Sequence, residues 1–403
     1  MSRNGFKVID SDMHVIEPAD LWQRHMDPRF KDGAPAGQKT PIARDISVNL
    51  SHGMPSDHAG VRPHTVNWHR ALRKHMKPLE HEYEFAARRN FDGVSQLEAM
   101  DREGIDVAFM YPSRGLFVLG IDSSETAGSN GIDPALATAI ARAYNDWLYD
   151  FLAPDRKRMY GVAMIAPHDV KAAAAETRRC VEKYGFKGIF LLPGQVNKRR
   201  WNDPHYDPLW AECQQLAIPV VFHGGGPDYL NDFGQGLYET LMLWHSFSHS
   251  LGPMSALASF VGGGVLERFP RLRAGFLEAS CSWAPWLLAR LDDHYEDYVG
   301  RFEVKLTKLP SEHFRDNCYV SAEADEKPAR LVVDWMGDNN VVFSTDYPHP
   351  DSKFPHAVDK FLSMPLPDQA RRKFLWDNCA RLYAIDTPAQ PLARDTAGAS
   401  AAE

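Results

Sequence analysis

Short apolar runs rich in β-branched and aromatic residues recur along the chain, and segments with helical periodicity lie between them. Most of these runs are continuous rather than alternating, which is typical of strands buried on both faces of a parallel sheet. The predicted strands are residues 7–14, 107–112, 158–167, 185–194, 218–226, 272–280, 317–324 and 340–350. The clearest helical periods predict helices over residues 133–153, 169–185, 255–270 and 283–299.

Eight strands with helical crossovers predict a (β/α)8 TIM barrel, and an open doubly wound sheet is the alternative. We assign residues 1–386 to this single α/β domain. Residues 19–90 form a long insertion after the first strand, where such a connection would lie over the active face of the barrel as a lid. Residues 387–403 are mostly small or polar, so we expect a disordered tail.

Composition and charge narrow the class of protein. The net charge is −8, and acidic and basic residues are interspersed, which argues against a nucleic-acid-binding surface. No run approaches the roughly 18 apolar residues of a membrane span, and the N-terminus lacks the pattern of a signal peptide. The five cysteines include no CxxC pair. We therefore expect a cytoplasmic protein that binds a small molecule, and the apolar, Trp-rich composition would permit a homodimer.

The ends of the predicted strands carry the residues of chemical interest. In a TIM barrel the active site lies at the C-terminal ends of the strands. Those ends hold Asp12 and His14 on the first strand, His223 on the fifth, Glu278 on the sixth, and Asp346 with His349 on the eighth. Imidazole and carboxylate together suit Zn²⁺, Mn²⁺ or Fe²⁺. Asp10 shares a strand face with Asp12 and His14 but lies deeper, and we expect it to accept hydrogen bonds instead.

A second group of histidines lies in the insertion, at His52, His58, His64 and His69. Their spacing is irregular, and the surrounding sequence has neither strand nor helix periodicity. We interpret them as solvated loop residues rather than as metal ligands.

Several segments resemble the amidohydrolase superfamily, and specifically its amidohydrolase-2 branch, which includes aminocarboxymuconate-semialdehyde decarboxylase and γ-resorcylate decarboxylase. The segments are "IDSDMHVIEP", "VVFHGGG", "GGGVLERFPRLRAGFLEASCSWAPWLLARLDDHYE", "FSTDYPHPDS" and the closing helix "QARRKFLWDNCARLYAI". The resemblance covers roughly residues 7 to 385 and implies a metal-dependent enzyme on a TIM barrel.

The resemblance also implies roles for individual residues. Asp12, His14, His223 and Asp346 match the metal ligands of the family, and Asp346 also matches the residue that moves protons. Zn²⁺ is the expected metal, with Mn²⁺ and Fe²⁺ as alternatives. Two-metal members place a lysine at the end of strand four, whereas Lys187 lies near the start of that strand here. One metal ion is therefore expected.

Glu278 departs from the family pattern, because the decarboxylases carry histidine at the end of the sixth strand. A desolvated glutamate can exchange protons near neutral pH, so Glu278 is a candidate catalytic residue. In the alternative interpretation, Glu278 only orients a neighbour such as Arg290 or a backbone amide. His245, or His249 four residues later, could supply the missing imidazole, and His245 is the second catalytic candidate.

Three residues near the strand ends are candidates for substrate contact. Arg114 follows the second strand and could hold a substrate carboxylate, Trp283 follows the sixth strand, and His349 follows the eighth. Three functions remain open. The first is non-oxidative decarboxylation of an aromatic or unsaturated carboxylic acid, and the second is metal-dependent hydrolysis of an amide, ester or lactone. The third is a metal-binding barrel without catalytic activity.

Overall fold

The computed structural model describes most of the barrel and part of the insertion. The described residues are 3–35, 42, 44, 71–116, 118, 119, 132–197, 199–224, 238 and 240–385. His52, His58, His64, His69 and the tail 387–403 lie outside the described residues, so the predictions made for them stay predictions. Within the described part of the chain, no helix combines the length and apolar character that crossing a membrane requires.

Eight parallel strands follow one another in chain order around a single sheet. The strands are β1 (Ile9–His14), β2 (Val107–Tyr111), β3 (Met159–Met164), β4 (Gly188–Leu191), β5 (Val220–His223), β6 (Ala274–Leu277), β7 (Cys318–Ala322) and β8 (Val341–Phe343). The first and last strands also meet, because the Ser11 hydroxyl donates to the carbonyl oxygen of Phe343 at 2.8 Å. The TIM barrel is therefore confirmed, and the doubly wound alternative is wrong.

Helices cover the outside of the barrel at or near the predicted positions. The longer α-helices are Gly93–Glu103, Pro134–Phe151, Val170–Tyr184, Asp207–Gln215, Leu241–Ser248, Leu251–Val261, Ala284–Glu296, Pro310–Asn317 and Ala329–Met336. The shorter helical segments are Leu21–His25, Pro28–Gly33, Lys77–Tyr83, Glu84–Ala87, Pro204–Tyr206, Val265–Arg268, Gly300–Glu303, Ala357–Ser363, Asp368–Arg372, Lys373–Asp377 and Asn378–Tyr383.

Local sequence explains where several helices begin and end. The Asp169 side chain accepts hydrogen bonds from the first turn of Val170–Tyr184, and Gly185 ends that helix in the left-handed region at φ 72°. The predicted helix 255–270 is interrupted in the structure. Gly264 adopts φ 80°, a conformation that glycine reaches without strain, and it separates Leu251–Val261 from Val265–Arg268.

The described part of the insertion contacts the loop that follows β8. The His75 ring nitrogen Nε2 lies 3.1 Å from the carbonyl oxygen of Pro350. The Tyr83 ring stacks on the Tyr347 ring with 5.7 Å between centroids. The insertion therefore reaches the C-terminal face of the barrel, where the candidate residues of β1, β5, β6 and β8 end.

Candidate active site

The end of β1 contributes two side chains to the interior of the barrel mouth. Asp12 and His14 are both fully buried. Asp10 lies deeper, and its carboxylate accepts hydrogen bonds from the backbone N–H groups of Asp12 at 3.0 Å and Thr345 at 3.2 Å. Burial raises the pKa of Asp10 to about 8. As expected from its position, Asp10 serves as a hydrogen-bond acceptor that joins β1 to the loop after β8.

Two histidines meet through their Nε2 atoms. The Nδ1–H of His14 donates to the carbonyl oxygen of Pro112 at 2.7 Å, and the Nδ1–H of His223 donates to the carbonyl oxygen of Gly224 at 2.6 Å. In a neutral ring whose proton is on Nδ1, the Nε2 lone pair is free to bind a metal ion. The two Nε2 atoms are 3.1 Å apart. Second-sphere carbonyls orient metal-binding histidines in this way.

Carboxylates lie around the two imidazoles. Nε2 of His223 lies 3.2 Å from Oδ2 of Asp12, and Nε2 of His14 lies 3.2 Å from Oδ1 of Asp346. Both carboxylate oxygens of Asp12 and of Asp346 are buried and receive no well-aligned hydrogen bond from the described residues. Buried carboxylates without such partners are costly, so the cluster requires positive charge.

Either protons or a metal ion can supply that charge. Burial opposes protonation of His223, but the carboxylates of Asp12 and Glu278 raise its pKa well above the ordinary value. Burial also opposes ionisation of Asp12, yet His223 and His14 hold its pKa below the usual range. A divalent cation would replace these protons, and two nitrogens with carboxylate oxygens form a suitable ligand set for Zn²⁺ or Mn²⁺. The structure therefore contains a candidate metal site.

Asp346 is held beside the cluster by its own loop. Its backbone lies in the left-handed region at φ 57°, which is uncommon for a residue other than glycine. Nδ1 of His349 lies 2.7 Å from Oδ1 of Asp346, and Nε2 of His349 lies 2.9 Å from the Ser113 hydroxyl. The His349 ring also stacks on His14 at 3.8 Å. Burial, and then the nearby His14, lowers the pKa of His349 well below its ordinary value, so this ring is neutral.

Glu278 lies beside His223 and, like Asp346, has left-handed backbone, at φ 48°. One carboxylate oxygen lies 3.0 Å from Nδ1 of His223, and the other lies 3.7 Å from Nε2 of His249. A carboxylate oxygen of Glu278 also lies within 4.8 Å of ligand atoms of His14 and Asp346. Burial raises the pKa of Glu278 to about 8. Burial therefore favours the protonated form of this carboxyl group, in competition with protonation of the neighbouring His223.

The partner suggested for Glu278 in the alternative interpretation lies elsewhere. The Arg290 guanidinium contacts Nε2 of His294 at 3.5 Å, on the exposed face of the helix Ala284–Glu296. Of the two histidines that could supply an imidazole, His249 is the one beside Glu278. The His245 ring stacks on the His249 ring, with 4.2 Å between ring centroids.

The other candidates for substrate contact are engaged with nearby backbone. Nη1 of Arg114 donates to the carbonyl oxygen of Glu17 at 3.0 Å. Nε1 of Trp283 donates to the carbonyl oxygen of Ala279 at 2.7 Å, and the side chain is partly buried against the core. The hydrogen bonds fix the direction of both side chains, while the contacts with a substrate stay predictions.

Sequence reasoning missed two side chains that organise the loop after β2. Ser113 reaches His349, as described above. The buried carboxylate of Glu17 accepts hydrogen bonds from the backbone N–H groups of Ser113, Arg114 and Gly115 at 2.9–3.3 Å. Successive backbone N–H groups of a turn form a concavity that binds an anion, and the glutamate of "IEP" after the first strand was the available signal.

We expect Gly224→Ala to disturb the site through Glu278. A Cβ on Gly224 would overlap the carbonyl oxygen of Glu278 and lie 3.0 Å from Nε2 of His249. Since a shift of about 1 Å at a reacting group can reduce rates about 10²-fold, the turnover number should fall markedly. Gly275→Ala on β6 is the matched control, because its nearest neighbour, Cδ2 of Leu382, is at an ordinary 3.4 Å. Equal turnover in the two variants would contradict the expectation.

Comparison with known proteins agrees with this geometry. A sequence model of the amidohydrolase family, Amidohydro_2, matches residues 9–385. The chain is 24% identical to a gamma-resorcylate decarboxylase from Polaromonas sp. (strain JS666) over 277 residues, 63% of this chain and 79% of that protein. It is 25% identical to a 2-amino-3-carboxymuconate-6-semialdehyde decarboxylase from Dictyostelium discoideum over 222 residues, 54% of this chain and 58% of that protein.

The fold is also similar to a solved structure. A crystal structure of a dihydroxybenzoic acid decarboxylase from Polaromonas sp. JS666, with bound manganese and the inhibitor 2-nitroresorcinol, superimposes with a TM-score of 0.60. The two chains are 18% identical, and the match covers 94% of this chain and 97% of that one. The resemblance inferred from the sequence motifs is thereby confirmed. Because the family model spans β1 through the last helix, this protein belongs to the amidohydrolase family represented by Amidohydro_2.

Proposed function

We propose that this protein is a metal-dependent enzyme that removes CO₂ from an aromatic or unsaturated carboxylic acid without oxidation. The observation that carries the proposal is the meeting of the His14 and His223 Nε2 atoms, 3.1 Å apart, beside the carboxylates of Asp12 and Asp346, whose oxygens receive no well-aligned hydrogen bond from the described residues. The reaction class is supported by relatives that are named as decarboxylases. Because those named relatives are enzymes, a non-catalytic barrel has less support.

The metal ligands in this proposal are Asp12, His14, His223 and Asp346. A bound divalent cation would hold the substrate carboxylate with a neighbouring oxygen, and would stabilise negative charge on the substrate as CO₂ leaves. Zn²⁺ is expected from the donor types, and Mn²⁺ is supported by the solved relative that contains manganese. The donors come from β1, β5 and the loop after β8, so the folded barrel assembles the site.

Glu278 supplies the proton in this proposal. When the bond between the substrate carbon and its carboxylate breaks, the electron pair stays on the carbon and CO₂ departs. The carbon then takes a proton from the carboxyl group of Glu278, whose protonated form is favoured because burial raises its pKa to about 8. Nε2 of His249 lies 3.7 Å from the other carboxylate oxygen, and burial lowers the pKa of His249 to about 3, so this ring is neutral and water returns the proton to Glu278 after each cycle.

Asp346 and the surrounding side chains orient the substrate. The neutral His349 lies between Asp346 and Ser113, and this chain of contacts limits rotation of the Asp346 carboxylate. His349 and Trp283 are proposed to contact the substrate, and Arg114 to attract its carboxylate. His245 stacks on His249, which lies beside Glu278, and is proposed to position that ring.

We propose that the insertion 19–90 covers the barrel mouth. The contacts of His75 with Pro350 and of Tyr83 with Tyr347 support this role, because both join the insertion to the loop that carries Asp346. A cytoplasmic location is supported by five cysteines that are all free and buried. A homodimer stays a prediction, which the molar mass in solution would test.

We expect the protein, supplied with Mn²⁺ or Zn²⁺, to release one CO₂ for each molecule of substrate consumed. The test is a panel of hydroxybenzoic acids and unsaturated dicarboxylic acids, with CO₂ measured by a coupled assay and products identified by mass spectrometry. A parallel panel of amides, esters and lactones examines hydrolysis, which the description of the family keeps as the second candidate. Turnover on the second panel without CO₂ release on the first would reject decarboxylation.

A further inference from the structure

Within the described part of the insertion, one arginine is buried against the loop that carries Asp346 and His349. Arg44 has no exposed surface, although it is a charged residue far from these two in the sequence. Its Nη1 donates to the carbonyl oxygen of Pro348 at 3.0 Å and to that of His349 at 3.3 Å. The guanidinium thus bonds to the backbone of the loop, and no described contact joins it to the side chains of the metal cluster.

The other contacts of Arg44 come from the insertion itself. Nε donates to Oε1 of Glu80 at 2.7 Å, and the guanidinium lies over the Tyr83 ring, 4.0 Å from its centroid. The Tyr83 ring in turn stacks on Tyr347, which follows Asp346 directly. Arg44 and Tyr83 therefore contact consecutive residues of one loop, through hydrogen bonds and through aromatic packing.

The loop held in this way has little freedom to relax. The backbone N–H of His349 donates to the carbonyl oxygen of Asp346 at 2.8 Å, which closes the loop into a turn. Asp346 lies in the left-handed region, and such a conformation persists only where surrounding contacts impose it. A shift of the turn would move the Asp346 carboxylate and the His349 ring together.

We propose that Arg44 is a positioning residue, which sets the affinity of the metal site by holding the turn that presents Asp346. Burying a guanidinium is costly unless it is well paired. Among the described residues, Arg44 has one carboxylate partner, Glu80, and the two backbone carbonyls of the loop supply its remaining hydrogen bonds. The inference rests on the proposed function, because it takes Asp346 as a metal ligand. Residues that orient metal ligands typically change metal affinity about 10- to 100-fold when they are replaced.

Titration of the metal-free, full-length protein with Mn²⁺ tests this role. Isothermal titration calorimetry should give a Kd about 10-fold or more higher for Arg44→Met than for the wild type. Arg44→Lys keeps the charge and can donate to a carbonyl, but it lacks the planar group that lies over Tyr83, so a smaller increase is expected. If Arg44→Met does not fold, the comparison rests on Arg44→Lys.

Arg273→Met is the matched control. Arg273 also donates to backbone carbonyls, those of Leu382 and Ala217, but it lies just before β6 at the opposite end of the barrel. Melting temperatures of the metal-free variants measure general destabilisation, and the control should keep the Mn²⁺ affinity of the wild type. An unchanged Kd in the Arg44 variants, or an equal loss in Arg273→Met, would overturn the positioning role alone. A wild-type protein that binds no Mn²⁺ would instead overturn the proposed metal site, and with it this inference.

Discussion

We expect Asp346→Asn to lower the turnover number about 10³-fold or more and to weaken Mn²⁺ binding. The substitution keeps the size of the side chain but removes its charge, and Oδ1 of Asp346 lies 3.2 Å from Nε2 of His14 and 2.7 Å from Nδ1 of His349. A neutral amide is a poorer metal ligand and cannot accept a proton. Asp346 is a metal ligand in the proposal and matches the family residue that moves protons, so the loss should fall in the upper part of the range for general acid–base catalysis, about 10²–10⁴-fold.

The measurement is steady-state turnover on a substrate found in the CO₂ assay, with Mn²⁺ content determined by mass spectrometry. Asp325→Asn is the control, because this exposed aspartate lies 3.9 Å from the amines of Lys353 and Lys360, and no described contact joins it to the cluster. The control should retain the turnover of the wild type. If Asp346→Asn keeps both turnover and metal, Asp346 is neither a ligand nor a proton carrier, and the ligand set must be revised.

The fold followed closely from the pattern of apolar residues. Strands buried on both faces leave continuous apolar runs, and each of the eight runs contains the observed strand. The predicted strands differ from the observed ones at their ends. The predicted strand 340–350 continues past the observed Val341–Phe343, because most of residues 344–349 are also buried although they form a loop, and only Asp346 among them is half-buried. A run of apolar residues reports burial and not backbone conformation. It therefore cannot distinguish a strand from a buried loop that follows the strand.

The residues of the candidate site fall into two groups: those at strand ends, which the sequence predicted, and those in loops, which it did not. Asp12, His14, His223, Glu278 and Asp346 could be found in the sequence because they lie at or just after strand ends, and the barrel brings those ends together. The structure gathers them as the pattern predicted, while their catalytic roles stay proposals.

Side chains that reach the site from loops could not be assigned in advance. The contact between Arg44 and Pro348 joins residues 304 positions apart, and nothing local in either segment indicates it. The choice of His249 over His245 as the neighbour of Glu278 depends on how the segment after β5 begins its helix. The sequence did not indicate that Nη1 of Arg114 donates to the carbonyl oxygen of Glu17, and the contact of Arg114 with a substrate carboxylate stays a prediction. In each case the conformation of a loop, which the sequence pattern does not report, determines which residue the side chain contacts.

We expect Glu278→Gln to lower the turnover number about 10²-fold or more while Mn²⁺ binding stays close to that of the wild type. Glutamine preserves the size of the side chain and can still contact His223 and His249, but it cannot release a proton. The carboxylate of Glu278 approaches Nδ1 of His223 and not its Nε2, so the side of the ring that faces the metal site keeps its geometry. Glu323→Gln is the control, because this neighbouring strand-end glutamate accepts from the Ser280 hydroxyl at 2.9 Å instead.

The pH dependence distinguishes a proton donor from a base. Burial raises the pKa of Glu278 to about 8, so the protonated form predominates below that pH and is lost above it. If Glu278 donates the proton, the turnover number of the wild type should fall as pH rises through about 8, and the residual activity of Glu278→Gln should lack this decline. A turnover number that instead rises with pH would assign Glu278 the role of a base. Near-normal turnover in Glu278→Gln would leave Glu278 a structural role, and His249 would become the next residue to replace.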